Sequence, residues 1–379
     1  MALNQVGLER LNTATTDKIG TNKNIIINGS MQVAQRGTSS TSTGFGSVDR
    51  FQISYSGTDE APTQAQASVA SGTTPFETGL SKAFKITNGD QSGGAGASDH
   101  IHISYSIEDQ DLATSGWNYK SSSSYVTLSF YVKSSIAQNF YFYLQSDNGS
   151  QFRYVMETGS LSADTWTKIT KTIPGNSNIV LNSDNGIGMY IVYSLFDGTD
   201  RTGTRPLNAW AALDNTSRTP DQTSTWYTTN DSTWEITGVQ LEVGDTATSF
   251  EHRSFTEELT RCYRYYRRFG ANGSLPTPAP YNRFSIGYSP SSADVRFPFQ
   301  LDPPMRINPV NSNFSKSGSF AIQPGSIGSY TLTCDDNSCS TNMMIALMGS
   351  TSVSSGTGSA VSLHANNDTS ANIEISAEL

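Results

Sequence analysis

Trp234–Phe269, WEITGVQLEVGDTATSFEHRSFTEELTRCYRYYRRF, reads as a long strand, a turn, a second short strand and then a helix. Trp234, Ile236 and Gly238 share one face of the strand, whereas Val239, Leu241 and Val243 continue in the opposite phase. One extra residue in the ladder produces such a phase change, so the pattern predicts a β-bulge at Gly238–Val239. Gly244–Asp245 supplies turn chemistry. Ser254, with Glu257 three residues on, has the form of a capping box. Phe255, Leu259, Cys262 and Tyr266 then repeat at helical spacing, and Arg261, Arg264, Arg267 and Arg268 crowd the expected last turns, where the helix dipole favours cations. Gly270 is the expected stop.

Outward from this stretch the chain is strand after strand. Before it come Phe51–Tyr55, Ala83–Thr87, His100–Ile107, Tyr125–Val132, Phe140–Leu144, Phe152–Met156, Trp166–Ile173 and Met189–Leu195. Ile25–Asn28 and Met31–Ala34 flank Asn28–Gly29, a hairpin signal. Roughly ten or eleven strands without helical interludes predict a β-sandwich or barrel. Periodicity alone does not separate a jelly roll from an immunoglobulin-like sandwich. Gly37–Ser47 and Ser92–Ser98 read as glycine- and serine-rich loops, and a long polar insertion runs from Phe196 to Trp234. SLPTPAP (Ser274–Pro280) reads as an extended linker and a domain boundary. Alternation restarts over Phe284–Tyr288, Val295–Gln300, Phe320–Ile322, Tyr330–Thr333, Met343–Met348, Val361–His364 and Ile373–Ser376, which predicts a small second sandwich. Asp302–Pro303–Pro304 must sit at an edge or turn.

The 379 residues are 15% charged, against about a quarter in typical domains, with a net charge of −9 and a pI near 4.9. That balance argues against nucleic acid as the partner and leaves neutral glycans open. No segment approaches the run of about 18 apolar residues that a membrane span needs. MALNQVGLER lacks a basic flank followed by an apolar stretch, so no signal peptide is expected. Leu3, Val6 and Leu11 allow a short amphipathic helix at this end.

NIIINGSMQVAQRG (Asn24–Gly37), VDRF (Val48–Phe51), WEITGVQLEVGDTATSFEHRS and EELTRCYRYYRRF together resemble a recurrent family of tailed-phage virion proteins. Its members look like tail-fibre or receptor-binding proteins with a jelly-roll, carbohydrate-binding-module-like domain. FPFQLDPPMRINP and NIEISAEL resemble the same family's C-terminal β-domain. The resemblance implies an all-β protein: an attachment segment over 1–23, a jelly roll over 24–253, a helix and linker over 254–280, and a C-terminal sandwich over 281–379. It implies a homo-oligomer, with a trimer expected, docked to other tail or baseplate proteins through its N-terminus. It also implies adsorption to a host-surface glycan, assembly in the host cytoplasm and no catalytic motif. A purely structural adaptor or capsid decoration, and a capsule depolymerase, are the competing readings.

Sugar binding asks for exposed aromatic faces ringed by amides and hydroxyls. Trp117, Tyr119, Trp210, Trp226 and Tyr227 lie in or beside polar loops and are the candidate ligand platform, each with core packing as its bland counterpart. Trp166 and Trp234 are assigned to the core. The arginines after Arg261 allow contact with an acidic polymer, or packing against sister chains. His100 and His102 share a strand face beside Asp99, but with four histidines in the chain and no third ligand they are read as solvent-facing. No cofactor is expected. Structural calcium at Asp184–Asn185–Gly186 or Asp335–Asp336–Asn337 is a minor alternative to Asx turns. Asp109, Asp111, Asp184 and Asp197 are read as turn formers rather than a glycosidase pair. Cys262 is read as a core hydrophobe, with Cys334 and Cys339 reduced and near one another.

Overall fold

The computed structural model describes residues 23–270, 282–291, 294–323, 331–349 and 358–379. The attachment segment 1–23, apart from Lys23, and the proline-rich linker 274–280 therefore lie outside the described residues. Two antiparallel six-stranded sheets face one another in a jelly-roll sandwich. Numbered along the chain, the first sheet is ordered β1 (Ser39–Ser40), β3 (Thr63–Ser68), β4 (Lys82–Thr87), β12 (Thr233–Val243), β6 (Tyr125–Ser134) and β9 (Thr167–Pro174). The second is ordered β11 (Trp210–Ala212), β8 (Phe152–Glu157), β7 (Tyr141–Ser146), β10 (Ile187–Asp197), β5 (His100–Glu108) and β2 (Phe51–Ser56). Inward residues of both sheets form one core. Across it runs an aromatic chain, with ring centroids 5.1 Å apart for Phe130–Phe142 and Phe130–Tyr193, and 5.8 Å for Tyr193–Trp234.

The bulge is where the phase change put it. Pairing of β12 with β6 shifts register between Thr237 and Gln240, and Gly238 sits at φ +63°. A side chain there would meet Leu80 as well as the left-handed backbone. What fills the bulge corrects the hairpin expectation. Asn24–Ile26 has no regular structure and 27–30 is a turn, closed by the Met31 amide on Asn28 O, with Asn28 and Met31 at φ 61° and 60°. The Ile25 amide donates to Leu241 O (2.9 Å) and the Val239 amide to Gly29 O (2.9 Å). Asn24 completes the patch: its Oδ1 accepts from the Leu241 amide, and its Nδ2 donates to Val239 O. Gly29 passes so close that a Cβ would lie 2.1 Å from Val239 O. Arg253 ties the same turn from the far side through Asn24 O and Ile26 O, and Glu258 accepts from the Asn28 amide. The motifs NIIING and FEHRS are thus two halves of one hydrogen-bonded knot.

Four short helices occur among the described residues: α1 (Thr74–Glu77), α2 (Asp109–Ala113), α3 (Thr225–Thr228) and α4 (Phe255–Cys262). Ser254 caps α4 by accepting from the Glu257 amide at 3.2 Å, while the Glu257 carboxylate takes Arg261 one turn on. The helix does not run to Gly270. Tyr266–Gly270 is strand β13, paired residue for residue with β21 (Asn372–Ser376). Tyr263, Tyr265 and Tyr266 are weak helix formers and good strand formers, and a five-residue ladder overrides their helical spacing. The stretch after Gly244–Asp245 is likewise not a second strand.

With β16 (Phe314–Ser317), β13 and β21 make a three-stranded sheet. It shares a core with a six-stranded sheet ordered β17 (Phe320–Gln323), β20 (Ala360–Ala365), β14 (Arg283–Tyr288), β15 (Asp294–Gln300), β19 (Met343–Gly349) and β18 (Thr331–Cys334). Each strand expected in this part is present, and β16 was missed. The arginines after Arg261 are consumed internally. Arg264 pairs with Glu108 of β5, Arg267 donates to Pro303 O, and Arg268 donates to Arg36 O and faces Glu374. They join the two sandwiches, which corrects their reading as a surface for acidic polymers or sister chains. Cys262 packs with Ile27, Val33 and Tyr265, and the Cys334 and Cys339 thiols lie 3.2 Å apart.

Candidate functional site

Most of the aromatics singled out as a sugar platform are inside the protein. Trp226 and Tyr227, on α3, are wholly buried. The Trp226 indole donates to Thr233 O and meets Phe140 edge-on, whereas Tyr227 stacks on Phe196 at 4.2 Å and donates to Asp99 Oδ2. Trp117 is buried and donates to Ser124 O, with the half-buried Tyr119 against its edge. Trp210 is half-buried at the sandwich rim, tilted on Tyr154 and donating to Pro174 O at 2.7 Å. No single face gathers the five. The polar loop sequence around them is the outer side of core plugs. Trp166 errs the other way: it is half-exposed, with the Lys133 ammonium 5.2 Å from its ring centroid.

The structure assembles a different site, on the outward face of the second sheet. On β10 the side chains of Met189, Ile191, Tyr193 and Leu195 go into the core, so Tyr190, Val192 and Ser194 face out. By the same alternation β5 presents His102 and Ser104, β7 presents Tyr143 and Gln145, and β8 presents Arg153. All of these but Ser194 line a cleft of about 300 Å³ together with Ser54, Asp147, Gln151, Asn215 and Arg218. Arg153 lies over the Tyr143 ring at 4.3 Å, held by Gln145 Oε1 and by Asp214 O. Tyr190 is half-buried, and its hydroxyl pKa is pushed up to about 12, first by burial and then by Asp147.

The long polar insertion provides one wall. It runs across the outer face, pinned where Gln222 donates to Ser194 Oγ (2.7 Å) and where the Arg218 amide donates to Arg201 O (2.6 Å). The sequence carried a signal for this face, since HIHISYSIE and MYIVYSLF alternate between apolar and polar or tyrosine positions. Phe140–Leu144 reads as four consecutive aromatics, which hid the fact that Tyr143 points away from the core.

His100 and His102 are buried rather than solvent-facing, which corrects that expectation. The insertion covers them, with their ring centroids 4.9 Å apart and His102 Nε2 2.9 Å from Asp197 Oδ2. Asp197 also accepts from Ser194 Oγ at 2.7 Å. The His100 pKa is pushed down to about 4: burial disfavours the imidazolium, the neighbours His102, Arg201 and Arg218 add to this, and Asp197 opposes it. Between about pH 4 and the ordinary histidine value near 6.5 the unfolded chain therefore binds more protons at this position. Its contribution to stability is complete above about 6.5 and is lost as the pH falls toward 4. Asp49 acts in the opposite sense. Burial raises its carboxyl to about 6 against Arg36 and Gln35, so it costs stability as the pH rises from its unfolded value to 6. Thermal melts of wild type and His100→Gln across pH 4–7 separate the two groups. The variant is expected to lose less melting temperature on acidification, and parallel curves would contradict the assignment.

No group of three or more metal-ligating side chains occurs among the described residues. Asp184 and Asp335 each accept from the amide two residues on, at 2.8 and 3.3 Å, which is Asx-turn geometry. Asp109 accepts from Asn148 Nδ2 and the Asn182 amide, fixing a loop.

No protein-family model and no curated protein matches the chain. Among solved structures it is similar to the enzymatically active domain of a bacteriophage CBA120 tailspike, at 11% identity and TM-score 0.32, covering 59% of this chain and 22% of that one. It is also similar to a CBM4 module, at 13% identity and TM-score 0.30, covering 57% and 98%. A third similarity is to the N-terminal cellulose-binding domain of a Cellulomonas fimi β-1,4-glucanase, at 8% identity and TM-score 0.27, covering 57% and 99%.

Proposed function

We propose that this chain is a non-enzymatic glycan-binding protein of the phage tail-appendage type, which adsorbs to a host-surface glycan through the outer-face cleft. The observation that carries the reading is the cleft itself. A half-buried tyrosine, Tyr190, stands beside the Arg153–Tyr143 stack, ringed by Gln145, Gln151, Asn215 and Ser104. An aromatic face packs on sugar C–H groups, while amides and hydroxyls exchange water for sugar hydroxyls. Hydrolysis by the two-acid route needs two carboxylates across the scissile bond, and the lining holds one, Asp147. Virion location, production in the host cytoplasm, docking through residues 1–23 and trimerisation belong to the same proposal and rest on the motif resemblance. A trimer would sum individually weak contacts by avidity.

A glycan array and whole-cell binding assay on purified protein, with its oligomeric mass measured in the same sample, tests this. Saturable binding without release of reducing ends is expected. Tyr190→Ala is expected to weaken it about tenfold, or ~1.4 kcal/mol, at unchanged melting temperature. A well-folded oligomer that binds no glycan and no cell would instead favour the structural adaptor, and release of reducing ends would favour the depolymerase.

A further inference from the structure

Building on the reading of the cleft as a glycan site, we propose that its occupant is an acidic sugar, a uronic or nonulosonic acid residue whose carboxylate is held by Arg218. Arg218 lines the cleft, and its side chain makes no hydrogen bond or ion pair among the described residues. Its Nε is buried without a partner. The other described arginines of this sandwich are engaged: Arg36, Arg50 and Arg253 face carboxylates, and Arg201 and Arg205 donate to main-chain carbonyls. Arg153 is engaged too, by Gln145 and Asp214 O. The terminal nitrogens of Arg218 reach the cleft without a protein partner, so their donors stand open to an anion that enters it.

The backbone presenting Arg218 is fixed rather than loose. Its amide donates to Arg201 O, and the next residue, Thr219, bridges to Thr202. The surroundings favour an anion. In a chain of net charge −9, the lining carries two arginines and one aspartate, and Asp147 is already occupied by Gln151 Nε2 at 2.9 Å. A planar fork matches a carboxylate with two parallel hydrogen bonds, which a neutral hydroxyl cannot offer. Tyr190 supplies the face for the sugar ring.

The test compares polygalacturonate and polysialic acid with their carboxyl-reduced forms, against wild type, Arg218→Gln, Arg218→Lys and Tyr190→Ala. The expected result is binding to at least one acidic polymer that falls tenfold or more on carboxyl reduction and equally on Arg218→Gln. Arg218→Lys should recover only part, and all variants should melt with the wild type. Neutral or sulfated glycans bound as well as the acids, or lost with Tyr190→Ala but not with Arg218→Gln, would overturn the acidic-sugar assignment and leave the cleft as a glycan site. Binding that survives both Tyr190→Ala and Arg218→Gln would place the glycan elsewhere and remove the cleft reading itself.

Discussion

Trp226→Ala will lower stability by about 3–5 kcal/mol and leave the glycan affinity of the folded fraction unchanged. The indole is wholly buried between Phe140 and the start of β12, and its N–H is satisfied by Thr233 O. Truncation removes the largest class of core side chain and opens a cavity that rigid neighbouring strands cannot close. Denaturant midpoints at constant slope would give the stability change, and binding measured below the transition would give the affinity. A variant of wild-type stability that has lost binding would restore Trp226 as a platform.

Arg50→Met will cost about 3–5 kcal/mol, and adding Glu378→Leu will return more than half of it. Arg50 is buried, paired with Glu378 near the C-terminus, donating to Ser106 O at 2.8 Å and lying 3.5 Å over Tyr265. Removing the cation alone strands a buried carboxylate, whose neighbour Arg36 is 3.3 Å away and cannot make up the loss. Removing both charges takes away the unpaired carboxylate, and Arg36 keeps its contact with Asp49 at 3.9 Å. A double-mutant cycle on unfolding free energies measures the coupling. Equal losses in the single and double variants would mean that the Tyr265 and Ser106 contacts, not the ion pair, hold this junction.

These two residues show how far the sequence could be read. The bulge at Gly238 and the Ser254 cap were legible because each is a local signal whose partners lie within a few residues. The helix beyond Cys262 was misread because its competitor, β21, lies about a hundred residues downstream and leaves no trace near Tyr266. NIIINGS resembled a hairpin for the same reason, since its partner is the bulge of a distant strand. Strand β3 escaped notice because TQAQAS is polar, its buried Gln64 serving the loop at Ser42 and Gly44. The motifs that carried the family resemblance converge on the knot of the first sandwich, where Asn24, Asp49, Arg253 and Glu258 bond, and Arg50 links it to the second through Glu378. They specify architecture and say little about ligand. Of the cleft only the alternation of β5 and β10 was legible, because the rest of its lining comes from outward positions on three further strands and from two loops whose course only the folded chain defines.

On the proposed reading, ligand meets the outer face of the second sheet and not the rim where Trp210 lies. Calorimetric titration of an array-selected oligosaccharide into wild type, Tyr190→Ala and Trp210→Ala tests it most directly. Affinity is expected to be about tenfold weaker for Tyr190→Ala and within about twofold of wild type for Trp210→Ala. Loss of binding in Trp210→Ala with Tyr190→Ala unaffected would contradict it.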